Sequence, residues 1–523
     1  MRKPFRHGAR RGRPAASRWV RGAAVLAAGA LPALAFPEPS WWWLAWAALV
    51  PWLLLVRSAP TARRAALEGW LGGAGFMLAV HHWLLPSLHV FLFVLAALMG
   101  LLWAPWGWLA HRLLHGAPGA GRAAAAVVLV PSGWLMVELV RSWEYLGGPW
   151  GLLGASQWQV PAALRLASLG GVWLVGWLVV AVNTALVLLV PVVRPVTGAV
   201  AVTAAAACAA AVGGAWLWAP RPESAGAVRV GVVQPGVVSG YERRFDRNEE
   251  LTRQLAGHRP DLVVWGESSV GQDLTRRADL RQRLAALSRS VDADLLVNVD
   301  ARRRDQTGIF KSAVLVDATG PVGVRYDKMR LVPFGEYIPL RSMLGWATSV
   351  GRAAAEDRRR GTEPVVMTLP EARGLRVGPL VCFESAFPDM SRVLVRDGAQ
   401  LLVAQSSTST FQRSWAPEQH ASLAALRAAE TWRPMVHATL TGVSAVHGPS
   451  GAGVGPRLGT GESAAVLYTV PLGAGTSPYV RWGAWPVYGS AAALVLYGAA
   501  QGVRAVTRPG RGRRPRSVRT ARG

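Results

Sequence analysis

Apolar residues are concentrated in two parts of this chain, before about residue 220 and again between residues 480 and 503. The chain has 523 residues, of which 51% are hydrophobic, and its mean hydropathy is +0.24. One membrane-spanning helix needs about 20 consecutive, mostly apolar residues. The distribution predicts a multi-pass α-helical membrane domain of about eight helices. The predicted spans are 19–36, 40–56, 69–85, 87–110, 123–140, 166–192, 197–218 and 480–503.

The positive charge is densest at the two ends of the chain. The net charge is +27, and arginines crowd residues 2–21 and 504–522, beside predicted spans. Juxtamembrane arginines set topology and contact anionic lipid headgroups. We therefore expect membrane lipids as partners and no nucleic acid.

The basic loops also predict how the chain crosses the membrane. With a cytoplasmic N-terminus, the loops 57–68 and 111–122 and the connection at Arg194 all fall on the cytoplasmic side. The chain then emerges outside, and a last span returns the tail to the cytoplasm. The predicted parts are a basic N-terminus (1–18), a membrane domain of about seven helices (19–219), an exterior block (220–479), a closing transmembrane helix (480–503) and a basic tail (504–523).

Two segments of the membrane part allow more than one interpretation. The run 19–36 follows a basic stretch, like a cleavable signal, but more apolar segments follow it without a convincing cleavage site, which favours a retained helix. In segment 141–165, Pro149 and several glycines exclude an uninterrupted helix. That segment is either an interfacial loop that shapes a passage for lipid or a simple surface turn.

From about residue 227 the sequence changes to short β-branched runs separated by helical stretches. Alternating strands and helices predict an α/β domain, and continuously apolar strands predict sheets buried on both faces. The predicted strands are Val228–Val233, Leu262–Trp265, Leu295–Val299, Ala313–Val316, Val377–Cys382, Leu401–Ala404 and Met435–Ala438. The predicted helices are 246–257, 274–291 and 417–431.

The chain has two cysteines, and they lie in different surroundings. Cys208 stands in an alanine-rich apolar run, which predicts a packing residue in a membrane helix. Cys382 is then the single thiol of the exterior block, so no disulfide is available there. It is either a candidate nucleophile or a buried, inert cysteine.

Polar residues near the ends of the apolar strands form a coherent chemical set. Glu267 follows one strand, Cys382 ends another, and Glu384 comes two residues later. Lys328 and Glu336 stand in a loop that contains glycine and proline. A carboxylate can accept the thiol proton, and an ammonium can lower the thiol pKa and stabilise an oxyanion. Alternatively, such a glutamate is a cap or ion-pair partner, and such a lysine is simply solvated.

Several longer motifs carry a resemblance to a known family. They are Val232–Pro235, Trp265–Ser268, Tyr326–Pro339, Cys382–Glu384, Gly148–Trp150, Arg427–Pro434 and Thr441–Ser444. The exterior block resembles the nitrilase superfamily, whose members carry a Glu-Lys-Cys triad on an αββα sandwich. Over nearly its full length the chain resembles the apolipoprotein N-acyltransferase family.

The resemblance implies a role for each candidate residue. Cys382 is the implied nucleophile, Glu267 the proton acceptor and Lys328 the oxyanion stabiliser. Glu336 and Glu384 are implied supporting carboxylates. The implied substrate-binding residues are Trp150, Phe383 and Phe411.

The resemblance also implies a reaction and its partners. A fatty acyl chain passes from a phospholipid to a cysteine thioester, and then to the α-amino group of the S-diacylglyceryl cysteine of an apolipoprotein. The expectation is a monomer in the cytoplasmic (inner) membrane, with the catalytic domain on the exterior face and both termini cytoplasmic. No metal or organic cofactor is expected.

The chain departs from the family pattern at several positions. The family usually has Thr-Asn-Asp-x-Trp-Phe where this chain has Ser406 to Phe411. A usual Asn is Leu440, a usual Tyr is Phe383, and a usual Pro is Gly266. These departures leave open a divergent paralogue with altered acceptor specificity, a membrane-bound nitrilase-type amidase or hydrolase, and a lipid-binding scaffold that keeps the fold.

Overall fold

The computed structural model describes residues 15–190, 195–302, 308–339, 341–344, 356–370, 372 and 374–507. Arg194 and most of the predicted basic termini lie outside these residues. The N-terminal part forms nine α-helices among the described residues. They are α1 (Ala15–Ala30), α2 (Val50–Arg57), α3 (Ala62–Val80), α4 (Leu85–Leu88), α5 (Phe91–Gly100), α6 (Trp103–Leu114), α7 (Ala120–Arg141), α8 (Pro161–Leu189) and α9 (Pro195–Trp218).

The described helices differ in how well they suit a membrane crossing. Three of them, α7, α8 and α9, are long and apolar enough to cross a membrane, and the bent pair α5 and α6 makes a fourth if it counts as one span. The other predicted spans are shorter or interrupted. The span 40–56 divides into a 3₁₀ helix, Trp42–Trp46, and α2. The number of crossings therefore does not follow from apolar runs alone.

The predicted loop 57–68 is wrong in its second half, because α3 begins at Ala62. The hydroxyl of Thr61 accepts a hydrogen bond from the Arg64 backbone N–H and caps the helix. Glu68 is fully buried, but it is paired with Arg21 at 2.6 Å and with Arg64 at 2.8 Å. These ion pairs offset the cost of burying the Glu68 charge, so α3 can begin with charged residues.

The block after α9 alternates strands and helices. It contains β1 (Glu223–Gln234), α10 (Tyr241–Arg253), β2 (Leu262–Trp265), α11 (Ala278–Val291), β3 (Asp294–Arg302), β4 (Ile309–Asp317), β5 (Gly320–Asp327), α12 (Arg341–Leu344), β6 (Met367–Thr368), β7 (Arg376–Val381), α13 (Pro388–Arg396), β8 (Leu401–Ser406), α14 (Ala416–Thr431), β9 (Met435–Thr439), β10 (Ala445–His447) and β11 (Ala464–Ala474). Two helices, α15 (Pro478–Trp482) and α16 (Trp485–Thr507), cover the predicted closing span.

These strands form two sheets that pack face to face. One has the order β11-β1-β2-β3-β4-β5 and the other β10-β9-β8-β7-β6. Alternate side chains of β2 point to opposite faces: Leu262 and Val264 join the core between the sheets, whereas Val263 and Trp265 pack towards α10 and α11. Helices α13 and α14 cover the other sheet, which gives the expected αββα sandwich.

Strands β5, β6, β10 and β11 were not predicted from the sequence. In β5 the exposed Val324 and the glycines Gly320 and Gly323 break up any apolar run. The predicted strand Val377–Cys382 is one residue too long, because β7 ends at Val381 and Cys382 begins a 3₁₀ turn. The difference matters because the turn sets the direction of the thiol.

The sandwich rests on the membrane helices through α14. This helix packs against β9 on one side and against α8 on the other. Glu430 of α14, which is fully buried, accepts a hydrogen bond of 2.7 Å from the Val172 backbone N–H at a bend of α8. The sheet that carries Cys382 is therefore the one nearer to the membrane part.

Candidate active site

Glu267, Lys328 and Glu336 lie together at one end of the sandwich. Glu267 follows β2 and is 2% exposed, and Lys328 follows β5 and is 1% exposed. The Lys328 Nζ atom lies 3.3 Å from Glu267 Oε1 and 2.8 Å from Glu336 Oε1. The other oxygen of Glu336 accepts a hydrogen bond of 2.8 Å from the Val332 N–H. This bond fixes the loop that carries both Lys328 and Glu336.

Cys382 joins this group from the other sheet. Its backbone has φ of 55°, in the left-handed region that few residues other than glycine adopt. Such strain is held in place by the surrounding fold and is typical of functional sites. The Cys382 Sγ lies 3.9 Å from the Ser407 carbonyl oxygen, and the thiol is close enough to Glu267 for the charge of that carboxylate to raise its pKa.

The Cys382 carbonyl is held by groups from two elements. It lies 3.0 Å from His420 Nε2 of α14 and 3.1 Å from the donating hydroxyl of Ser385. Burial lowers the pKa of His420 to about 4, so the imidazole is neutral at pH 7. A neutral ring fixes the backbone of the turn without adding charge beside the thiol.

The charges of the site determine its protonation state. Burial raises the pKa of Glu267, but the ammonium groups of Lys311 and Lys328 outweigh it and lower the pKa to about 2. Burial and the charge of Glu267 raise the pKa of Cys382 to about 12. The charge of Lys328 lowers that pKa, as expected, but the net shift is upward. At pH 7 Glu267 is therefore a carboxylate and Cys382 a neutral thiol.

Lys311 is a member of this group that sequence reasoning missed. It projects from β4, its side chain is 14% exposed, and its Nζ lies 2.8 Å from Glu267 Oε1 and 3.2 Å from Glu336 Oε1. In the sequence it looks like an ordinary strand lysine. Only the pairing of β3 with β4 and of β4 with β5 places it beside the loop that carries Lys328.

Glu384 ties the Cys382 turn to the Lys328 loop. Its Oε1 accepts hydrogen bonds from the Tyr326 hydroxyl and from the N–H groups of Met329 and Arg330, at 2.7, 2.7 and 3.0 Å. Its Oε2 accepts from the Val381 N–H at 2.7 Å. The carboxylate is fully buried. It therefore acts as an anchor between the two sheets rather than as a group open to substrate.

We expect Glu384→Ala to destabilise the protein by about 3 kcal/mol or more, because four donors, two of them buried and two partly buried, lose their acceptor. The measurement is the thermal unfolding midpoint of the purified protein. Glu384→Gln keeps the size and one acceptor oxygen, so it should lose less. An unchanged midpoint in Glu384→Ala would show that the four hydrogen bonds do not hold the loop.

The predicted interfacial segment 141–165 contacts the Cys382 turn directly. Arg141 donates to the carbonyls of Trp150 and Gly151 at 2.6 and 2.7 Å and so fixes the loop. The ring of Trp150 stacks on Phe383 with centroids 6.4 Å apart. A Cβ on Gly148, whose φ is +72°, would lie 2.6 Å from the Phe383 ring. The simple surface turn is thus the wrong alternative, because this loop is packed on the candidate site.

The third predicted substrate-binding residue, Phe411, belongs to an aromatic wall formed by Trp83, Trp150, Phe383 and Phe411. Its ring meets Trp83 edge-on with centroids 4.8 Å apart, and Trp83 lies 5.3 Å from Trp150. A neighbouring cavity of about 410 Å³ lies between the membrane-side segment 82–86 and residues 412–415. The wall therefore connects the membrane part to the Cys382 turn.

A salt-bridged glutamate also links the membrane part to the Lys328 loop. Glu144 lies 2.6 Å from Arg330 and 2.8 Å from Arg360. Arg330 is two residues from Lys328, and its guanidinium also lies over the ring of Phe387. These contacts hold the Lys328 loop against the segment that carries Trp150.

The departures from the family pattern lie next to one another. The Ser406 carbonyl accepts hydrogen bonds from the N–H groups of Glu267 and Leu440, at 3.1 and 2.8 Å. A Cβ on Gly266 would lie 2.0 Å from the Leu440 nitrogen, so glycine is required by this close approach. The departures at Ser406, Leu440 and Gly266 thus adjoin one another beside Glu267, whereas Phe383 packs against Trp150. No group of three or more His, Cys, Asp or Glu side chains among the described residues is placed to hold a metal ion.

Two family patterns match this chain. Residues 28–185 match the family described as apolipoprotein N-acyltransferase N-terminal domain, and residues 229–474 match the carbon-nitrogen hydrolase family. The crystal structure of an amidase from Nesterenkonia sp. aligns with 50% of this chain and 96% of that chain, at 19% identity and a TM-score of 0.35. The second match and the αββα sandwich define a carbon-nitrogen hydrolase domain, here joined to apolar helices.

Full-length relatives make the assignment more specific. The apolipoprotein N-acyltransferase of Azotobacter vinelandii is 33% identical to this chain, over 91% of this chain and 94% of that protein. The protein of the same name from Geobacter metallireducens is 30% identical, over 89% of this chain and 93% of that protein. The chain belongs to the apolipoprotein N-acyltransferase family.

Proposed function

We propose that this protein transfers a fatty acyl chain from a membrane phospholipid to the α-amino group of the S-diacylglyceryl cysteine of apolipoproteins, the last step of lipoprotein maturation. The observation that carries the proposal is the convergence of Glu267, Lys328 and Cys382, from three separate strand ends, in a chain of this family. Glu267 is the proposed proton acceptor, Lys328 the oxyanion stabiliser and Cys382 the nucleophile.

In the first step the Cys382 sulfur attacks the ester carbonyl of the phospholipid. Glu267, which is ionised at pH 7, accepts the thiol proton as the carbon–sulfur bond forms. The Lys328 ammonium is close enough to Cys382 for its charge to act on the thiol, so it is the proposed partner for the oxyanion of the tetrahedral intermediate. When the intermediate collapses, the lysophospholipid oxygen takes the proton from Glu267, and the acyl chain remains on Cys382 as a thioester.

In the second step the apolipoprotein amine attacks the thioester carbonyl. Glu267 accepts a proton from the attacking nitrogen and returns it to the departing Cys382 sulfur. The product is an N-acyl amide, and the enzyme regains its starting state. Glu336 supports this cycle by holding Lys328 at 2.8 Å, and Glu384 by anchoring the Cys382 turn. The two half-reactions make a ping-pong mechanism.

The proposed substrates explain why the site lies beside apolar helices. Lifting an acyl chain from a bilayer into water costs about 0.8 kcal/mol per CH₂, so a site at the membrane surface avoids that cost. We propose that block 220–479 faces the exterior of the cytoplasmic membrane, with both termini cytoplasmic, and that Trp150, Phe383 and Phe411 line the acyl path. The protein is proposed to act as a monomer without a cofactor.

A second candidate function is hydrolysis, with water instead of an amine in the second step. The observation that favours it is the altered wall at 406–411, 266 and 440, which adjoins Glu267. Incubation with phospholipid and a diacylglyceryl lipopeptide, followed by mass spectrometry, distinguishes the two. N-acyl lipopeptide supports the transferase, and free fatty acid alone supports the hydrolase. Neither product, with no acyl group on Cys382, would favour a scaffold or an unsuitable acyl donor.

A further inference from the structure

The most unusual feature of the site is its second lysine, which the proposed mechanism does not use. Lys311 is nearer to Glu267 than Lys328 is, at 2.8 Å against 3.3 Å. Lys328 is in turn nearer to Glu336, at 2.8 Å against 3.2 Å for Lys311. Each ammonium thus contacts both carboxylates, and each has a different nearer partner.

We propose that Lys311 is a positioning residue that keeps Glu267 ionised and leaves Lys328 available for the oxyanion. The inference rests on the proposed function and deepens it. With one ammonium fewer, Glu267 and Glu336 would compete for Lys328 alone. Lys328 would then be bound more tightly by carboxylates and less free to respond to the charge that develops on a substrate oxygen.

The surroundings of Glu267 leave Lys311 a distinct electrostatic role. The cluster around Glu267 contains six further charged or titratable groups from five elements: Asp300 of β3, which lies 3.9 Å from Lys311, Lys311 of β4, Lys328 and Glu336 of the loop after β5, Cys382 after β7 and His420 of α14. Arg358 is paired with Asp300 at 3.2 Å. Lys311 and Lys328 are therefore the two cations in this group that contact Glu267.

The composition of the chain supports a selected role for lysine at this position. Among its 57 lysines and arginines, three are lysines: Lys3, Lys311 and Lys328. A chain that uses arginine almost everywhere else thus keeps lysine at both buried cationic positions of the site. An ammonium is a compact point charge, whereas a guanidinium is a wide planar fork. The site already holds two carboxylates and a second ammonium, so a compact ammonium fits there better than a wide guanidinium.

The test is the pH dependence of the acylation half-reaction in Lys311→Met, with purified full-length protein, phospholipid vesicles and no acceptor. Glu267 must be ionised to accept the thiol proton, so the rate falls as pH drops through its pKa. Removing Lys311 raises that pKa by about 1–3 pH units. We expect the wild-type rate to be nearly flat from pH 6 to pH 3 and the Lys311→Met rate to fall by about twofold to a hundredfold over that range, according to the size of the shift.

Two control variants separate charge from packing. Lys311→Arg keeps the positive charge and should keep the wild-type pH dependence, even if its rate is lower throughout. Arg302→Met removes an exposed arginine that pairs with Glu356 at 2.7 Å, and its pH dependence should not change. His420 is present in every variant, so an effect of its own titration on the rate would also appear in wild type and in Lys311→Arg.

A second measurement covers the case in which Lys311→Met acylates too slowly. The charge of Lys311 lowers the pKa of Cys382, so the variant should react with iodoacetamide about tenfold more slowly at pH 8. A Lys311→Met rate that is reduced equally at every pH, with unchanged alkylation, would overturn the inference. Absence of acylation in the wild type would instead contradict the proposed function itself.

Discussion

Replacing Cys382 with alanine is expected to lower the rate of N-acylation by about 10⁴-fold or more, because both half-reactions pass through its sulfur. The fold itself should persist, since the hydrogen bond of the thiol is a weak one of 3.9 Å to the Ser407 carbonyl. The measurement is the initial rate of N-acyl lipopeptide formation, with an unfolding curve to show that the variant is folded.

The chain provides a matched control for this variant. Cys208, its other cysteine, lies in α9 and is 7% exposed. Cys208→Ala makes the same chemical change away from the candidate site and should keep the wild-type rate. A Cys382→Ala variant that forms product at a rate within tenfold of wild type would contradict Cys382 as the nucleophile.

Glu267→Gln is expected to change two rates in opposite directions. N-acylation should fall by about 10²- to 10⁴-fold, because an amide cannot accept the thiol proton. The reactivity of the resting Cys382 thiol should rise, because the charge of Glu267 raises its pKa whereas those of Lys328 and Lys311 lower it. Without the carboxylate, the two ammonium groups favour the thiolate.

The two effects are measured on the same preparation. Iodoacetamide alkylation of Cys382 at pH 7, followed by peptide mass spectrometry, reports the thiolate fraction, and Cys208 serves as an internal reference. Faster alkylation with slower N-acylation is the expected pair of results. Slower alkylation together with slower N-acylation would mean that Glu267 mainly supports local structure.

Much of the fold could be predicted from the sequence because its strands are nearly continuous apolar runs. Strands such as β2 and β8 are buried on both faces, and their sequences are correspondingly apolar. Strand β5 was missed because glycines and exposed residues interrupt it. The start of α3 was missed because it is charged, and the Arg21 that pairs with its buried Glu68 lies far away in the sequence.

The candidate site was predicted only where its residues stand in motifs. Glu267, Lys328, Glu336 and Glu384 stand together in the structure as the motifs suggested. Lys311 stands in no such motif, and its role depends on strand register. The rarity of lysine in this chain is the sequence property that could have revealed it. The upward shift of the Cys382 pKa likewise depends on burial, which the sequence does not specify.

The central claim, that Cys382 carries the acyl chain between the two substrates, has a direct test. Purified protein is incubated with phospholipid alone, digested without thiol reagents and analysed by peptide mass spectrometry, and a diacylglyceryl lipopeptide is then added. The account predicts a fatty acyl group on the Cys382 peptide, lost on lipopeptide addition as an equal amount of N-acyl lipopeptide forms. N-acyl lipopeptide formed while the Cys382 peptide stays unmodified throughout would contradict it.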